Sequence, residues 1–173
     1  MTNKDTLLII AGPSGCGKNY ITEKLVEEYS DKFVQLQQYT TRPKRTADEN
    51  TYYFIDEKKY NELYNSLMAR IEINGFHYGT TTESQHDRIN IVIANLDGIN
   101  DIRHNNAIRE KFNIFILGID SEIPKKREER TDEYVKKERE SLRYVADCWI
   151  YNTKEKYLTT SDVLAKLAEY CVI

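Results

Sequence analysis

Residues 12–20 read Gly-Pro-Ser-Gly-Cys-Gly-Lys-Asn-Tyr and directly follow the apolar run Leu7-Leu8-Ile9-Ile10-Ala11. A strand, a glycine-rich turn and a helix in that order form an anion cradle, because the backbone N–H groups of the turn and the helix N-terminus converge on one point. Gly12, Gly17 and Lys18 fit the spacing G-x-x-x-x-G-K-[S/T], whose last hydroxyl normally ligates a divalent cation. Asn19 stands at that hydroxyl position. Lys18 in the first helical turn opposes the positive end of the helix dipole, so it too calls for an anion at this place. Cys16 lies inside the turn, where a small filler role competes with an oxidation liability.

The elements around this turn alternate between strand and helix, the mark of an α/β fold with a mainly parallel sheet. The runs at 7–11, 89–94 and 113–118 are short, β-branched and nearly continuous, which predicts strands buried on both faces. A weaker run lies at 148–151, and helices are predicted over 18–29, 99–105, 121–129 and 161–170. The stretch 38–82 differs. It carries a basic cluster, the aromatics Tyr52-Tyr53-Phe54, a predicted helix over 57–67, and Asn74-Gly75 between β-prone residues. Asn-Gly in that setting is a strong hairpin signal, so this block reads as a small antiparallel subdomain inserted into the parallel sheet. Residues 122–144 form a dense charge run broken at Arg130-Thr131-Asp132, which reads as a solvated helical pair or a closing lid.

Composition limits the partners. The 173 residues suit one domain with small insertions. A net charge of −3 with 31% charged residues argues against a broad nucleic-acid surface. No apolar run approaches the ~18 residues of a membrane span, and the N-terminal residues run straight into a strand, without the pattern of a signal peptide. The three cysteines, Cys16, Cys148 and Cys171, have no metal spacing and imply a reducing, cytoplasmic setting.

In order along the chain, these blocks resemble the guanylate kinases, within the P-loop nucleoside monophosphate kinases. Residues 12–18 look like the family's GPSGSGK loop, and Thr40-Thr41-Arg42-Pro43-Lys44-Arg45 looks like its T-T-R-x-P-R segment. Tyr52-Tyr53-Phe54 is similar to its D-Y-x-F block, and Asn74-Gly75-Phe76-His77-Tyr78-Gly79-Thr80 to its G-x-x-Y-G-[S/T] hairpin. Asp97 falls where the family has an Asp after its third core strand. Arg130 and Arg139 match two lid arginines, and Asn152 matches an asparagine near the nucleotide base.

The resemblance implies a P-loop NTPase-type core, a parallel five-stranded sheet flanked by helices, made of residues 1–37, 83–120 and 145–173. It implies an acceptor-binding insertion at 38–82 and a helical lid at 121–144. The implied reaction moves the γ-phosphate of ATP to a nucleoside monophosphate, GMP or dGMP first, with Mg2+ as cofactor and a monomer or weak dimer as the working form. Gly12, Pro13, Ser14, Gly15, Cys16, Gly17, Lys18, Asn19, Tyr20 and Asn152 would hold ATP, with Asn19 offering its amide oxygen to magnesium directly or through water. Lys18, Arg42, Arg130 and Arg139 would neutralise the moving charge. Arg42 and Arg45, as two guanidinium forks, and the hydroxyls of Tyr52 and Tyr78 would hold the acceptor phosphate.

Base choice is where the chain departs from the family. Counting back from Gly75, the family's guanine-reading Glu falls on Ala69 and its helper Ser on Gln38, while Asn95 stands where the family often has another Asp. Either Gln38 and Glu72, with Thr80 and Asp97 nearby, replace the lost carboxylate, or guanine is not the preferred acceptor. The competing functions are a non-catalytic module that binds a partner protein through the same cleft, and a kinase for another monophosphate acceptor, a different nucleotide or a phosphorylated sugar. The phosphotransfer reading requires the arginines of the insertion to converge with Lys18 on one cleft.

Overall fold

The computed structural model describes residues 4–122, 131–153 and 155–173. Its organising element is β1 (Asp5–Ala11), whose residues Leu7, Leu8, Ile9, Ile10 and Ala11 are all fully buried. A strand without a polar face can only sit in the middle of a sheet covered on both sides. β1 does so, pairing in parallel with β7 (Ile89–Ile93) on one flank and with β8 (Phe112–Ser121) on the other. β2 (Phe33–Gln35) extends the sheet beyond β7 and β9 (Cys148–Asn152) beyond β8, giving a five-stranded parallel sheet in the order β2-β7-β1-β8-β9. Successive side chains of a strand point to opposite faces. Leu7 and Ile9 therefore join one core with Val92, Ile99 and Ile116, while Leu8 and Ile10 join the other with Ile21, Leu25 and Val163.

The second core is closed by α1 (Lys18–Glu28) and α6 (Thr160–Glu169), which carry Ile21, Leu25, Val163 and Leu167 inward. The first is closed by α3 (Leu96–His104) and α5 (Asp132–Leu142), with the short α4 (Asn106–Lys111) contributing Ile108. The expected helix over 121–129 has only its first two residues in view: Ser121 ends β8, Glu122 lies in a bend, and 123–130 fall outside the described residues.

Between β2 and β7 lies a second sheet of four strands: β3 (Gln38–Thr40), β4 (Tyr53–Phe54), β5 (Leu67–Ile73) and β6 (Phe76–Thr81), in the order β4-β3-β6-β5. It is mixed rather than purely antiparallel, because β3 pairs with β4 in parallel. The hairpin at Asn74-Gly75 forms as expected, with φ of +54° and +77° at its two turn residues. The helix over 57–67 is shorter than expected: α2 (Glu57–Leu63) tightens into a 3-10 turn, Tyr64–Ser66, because Leu67 and Met68 are drawn into the core as the start of β5. β5 then breaks register between Met68 and Ile71, with Ala69 in the left-handed region at φ +52°. Arg70 ties this bulge to α3, its guanidinium and backbone N–H both donating to Asp101 at 2.8–3.2 Å.

Candidate active site

The loop that follows β1 turns into α1 without a side-chain cap and without an acidic residue in the first turn of the helix. The positive helix end and its unpaired N–H groups are thus left open to an external anion. Gly12 cannot be replaced by a larger residue. At φ +156°, a Cβ there would meet the Ile119 carbonyl oxygen at 2.0 Å and the Cys16 sulfur at 2.8 Å. Cys16 is fully buried under the loop, and burial pushes its thiol pKa up, partly offset by Lys18, so it is a filler and not a nucleophile.

Lys18 is folded onto its own loop, donating to the carbonyls of Gly12 at 2.7 Å and Pro13 at 2.9 Å. Ser14 N–H donates to Glu138 Oε2 of α5 at 2.9 Å. An internal carboxylate thus sits on one donor of the anion cradle. Loop and helix line one cleft of about 390 Å³ with Tyr52, in the bend before β4, and with residues of the second sheet, among them Gln38, Ala69, Tyr78 and Thr80. Asn19 and Tyr20 line it too and are exposed. Asn152 ends β9 beside the loop; its Nδ2 lies 3.9 Å from where a Cβ on Gly17 would be, and its Oδ1 accepts from Leu158 N–H at 3.2 Å.

The arginines do not converge on this cleft. Arg42 is buried, at 8% exposure, but its fork is closed by Glu49: Nη2 donates to Oε1 at 2.7 Å and Nη1 to Oε2 at 3.1 Å. Its guanidinium also stacks over Tyr52 and Phe54, at 5.6 and 5.3 Å from the ring centroids. Arg42 therefore stands behind Tyr52, which lines the cleft, instead of lining it. Its pKa is raised, first by the hydrogen bonds to Glu49 and to a smaller extent by Tyr78. Glu49 is held down to about 2, by Arg42 first and then by the backbone N–H of Arg45. Arg45 itself is exposed and does not line the cleft.

Three further expectations are corrected in the same way. Glu72 is exposed and off the cleft wall: Ala69, Ile71 and Ile73 line it, and alternation along β5 turns Glu72 to the opposite face. Asp97 is exposed in the first turn of α3, while Asn95, two residues earlier, lines the cleft and caps that helix. Arg139 lies on the other side of α5 from the cleft, its Nε 2.6 Å from Asp120 Oδ2, in a neighbouring groove that includes Lys136 and Tyr151. Arg130 lies outside the described residues. Glu49, Glu138 and Asp120 escaped the sequence reading. Each acts on a residue distant in sequence or on a non-helical loop, where spacing gives no signal.

Magnesium in a nucleotide site is carried largely by phosphate oxygens and water. The exposed Asn19 amide, on the same cleft as Lys18, supplies an oxygen suited to that partial role. No group of three or more His, Cys, Asp or Glu among the described residues could hold a metal without such help. No helix of the described residues is long and apolar enough to cross a membrane.

Comparison with known proteins adds to this geometry. The family model described as guanylate kinase matches residues 4–152. A guanylate kinase from Nostoc sp. is 31% identical over 120 residues, covering 64% of this chain and 59% of that protein. One from Prochlorococcus marinus is 30% identical over 125 residues, covering 67% and 66%. The chain thus spans roughly three fifths to two thirds of the length of these relatives. The crystal structure of guanylate kinase from Anaplasma phagocytophilum shares the fold, with a TM-score of 0.59 over 99% of this chain and 86% of that one at 14% identity.

Proposed function

Because this chain belongs to the guanylate kinase family, we propose that its cleft moves the γ-phosphate of ATP to a nucleoside monophosphate, yielding ADP and the diphosphate. The observation that carries the reading is that the uncapped phosphate loop with Lys18 opens onto the same cleft as Tyr52, just before β4, and Tyr78 of β6. Donor and acceptor phosphates can thereby face each other, and positioning with charge neutralisation is most of what phosphoryl transfer needs from a protein.

In this reading the loop N–H groups from Ser14 to Lys18 hold the donor phosphates. Lys18 leaves the Gly12 and Pro13 carbonyls to follow the transferring group, and Glu138 gives up Ser14. Asn152 flanks the donor site. Asn19 would hold magnesium on the protein side, and the ion would supply positive charge at the phosphates when bound. Tyr52 and Tyr78 donate hydroxyls to the acceptor phosphate, with Arg42 lending charge from behind them. Arg45, Arg130 and Arg139 would act as cations of a closed form. The convergence of Arg42 and Arg45 with Lys18 that was required of this reading is absent from the arrangement described here, so the reading rests on the phosphate loop and not on these arginines; for Arg42, Arg45 and Arg139 a direct phosphate contact requires leaving that arrangement, and the Glu49 and Asp120 pairs in particular.

Kinship nominates GMP or dGMP as acceptor. A second reading, the same reaction on another monophosphate, is favoured by the absence of Glu72 and Asp97 from the cleft wall. An assay coupling ADP release to a panel of monophosphates tests the reaction. Lys18→Met should lower ADP release by roughly 10²–10³, the cost of removing one preorganised transition-state donor. Full turnover by that variant would remove the loop from the chemistry.

A further inference from the structure

The phosphate loop lies beside the end of β8. β1 and β8 run in parallel with Ala11 opposite Gly118, so Ile119, Asp120 and Ser121 continue alongside the loop that follows Ala11. α5 is anchored by Val135 and Leu142, both buried, and reaches the loop with one residue and β8 with the next. Glu138 Oε2 accepts the Ser14 N–H at 2.9 Å. The Arg139 guanidinium lies on Asp120, Nε 2.6 Å from Oδ2, and its Nη2 donates to the Ser121 carbonyl at 3.3 Å. Successive residues of a helix point about 100° apart. The two contacts therefore lie in different grooves, yet they share one stretch of backbone.

Glu138 takes an N–H that a phosphate on this loop would need, so the cradle is occupied by the chain itself. The thiol of Cys16, beneath the loop, is pushed up first by burial and then, with Lys18 opposing, by the charges of Asp120 and Glu138. Both carboxylates are thus within electrostatic reach of the loop. A glutamate side chain, three carbon–carbon bonds and a carbon–oxygen bond, reaches only about 5 Å from its Cα. With the α5 backbone in place, a Glu138 carboxylate pushed off Ser14 therefore stays within about 10 Å of the loop, inside the screening length at ordinary ionic strength. From there it goes on repelling bound phosphates. Relief requires the α5 backbone to draw back at residue 138, and the Asp120 pair at residue 139 opposes that movement.

We propose that α5 carries an internal inhibitor of the donor site: Glu138 is seated on the phosphate loop in place of a phosphate oxygen, and the Arg139–Asp120 pair is the clamp that keeps it there. Asp120 and Arg139 are positioning residues in this arrangement, acting on the nucleotide through Glu138. Donor phosphates and the clamp are mutually antagonistic. A triphosphate that takes the Ser14 N–H draws α5 back and parts Arg139 from Asp120. The inference rests on the reading of this loop as the ATP site and names what regulates it.

Calorimetric titration of the full chain with a non-hydrolysable ATP analogue and Mg2+ reads the affinity in the parent, Asp120→Asn, Glu138→Ala and the double variant, each shown by circular dichroism to be folded. Asp120→Asn should tighten binding roughly threefold in the parent. It should change nothing in the Glu138→Ala background, where the clamp has no carboxylate to hold. Equal tightening in both backgrounds means that Asp120 acts by its own charge and overturns the inference, as does a parent affinity that Asp120→Asn leaves the same or weakens. The NMR signal of the Arg139 Nε–H, assigned by its loss in Arg139→Lys, needs no variant at Asp120. It should shift as the analogue saturates the parent and hold still in Glu138→Ala. A signal that stays put in the parent, or shifts equally in both proteins, overturns the inference. ADP release with a panel of monophosphates is measured on the same proteins. Release without the coupling leaves the kinase reading standing alone, and the coupling without release upholds the clamp and overturns the kinase reading. An analogue that binds none of the proteins overturns both.

Discussion

Glu49 places a carboxylate on the guanidinium that an acceptor phosphate would otherwise claim. Both oxygens meet Arg42, at 2.7 and 3.1 Å, and Oε2 also accepts the Arg45 N–H at 2.7 Å. These bonds hold the Glu49 carboxyl near pKa 2, against an ordinary 4.5. A carboxyl whose folded pKa is depressed contributes stability above its unfolded pKa and loses it as pH falls through the folded one. Glu49→Gln should therefore melt at a lower temperature than the parent near neutral pH. The gap should persist down to about pH 4.5 and close as pH falls toward about 2. Melting curves at a series of pH values measure this, and a gap that stays constant across the window would place the pair's contribution elsewhere. The pairing was invisible in the sequence. Arg42 and Glu49 are seven residues apart on an irregular loop, where no helical or strand period brings side chains together.

Elements were legible where burial forced a pattern. The runs that became β1, β7 and β8 are nearly all apolar because both faces of each are covered. β2 has three residues and α4 six, too short for any period to register. The cleft wall was misread because it depends on the pleat. Ala69, Ile71 and Ile73 line the cleft, so Glu72 between them faces away, an alternation that choosing Glu72 for its nearness to Ala69 overlooks. The charge run in α5 was likewise legible as a helix but not as a contact. Only the packed helix reveals that Glu138 reaches Ser14. Since an anionic nucleotide must displace that carboxylate, Glu138→Ala should bind ATP more tightly, by roughly three- to tenfold, the worth of one charged hydrogen bond with its local repulsion removed. Alanine favours the helix, so α5 itself is retained. Titration with ATP reads the change, and weaker binding would instead make Glu138 part of the donor site.

At the scale of the molecule, the cleft joins two sheets that are built differently: a parallel sheet that ends in a phosphate loop, and a mixed sheet that supplies an uncharged wall. A ligand that binds only the folded chain stabilises it by about 2.7 kcal/mol at a hundredfold excess over its Kd. For a domain of this size, each kcal/mol moves the melting temperature by about 2–4 °C, so a single nucleotide at that excess should raise it by about 5–10 °C. A non-hydrolysable ATP analogue and a monophosphate given together should exceed the sum of their separate shifts. Each closes one side of the same cleft and so lowers the ordering cost that the other must meet. Strict additivity would mean two independent sites. Lys18→Met separates the contributions further: it should remove most of the ATP-analogue shift while sparing the shift from the monophosphate, which in this reading is held by Tyr52 and the second sheet. A Lys18→Met protein that kept the full ATP-analogue shift would place the donor somewhere other than the loop after β1.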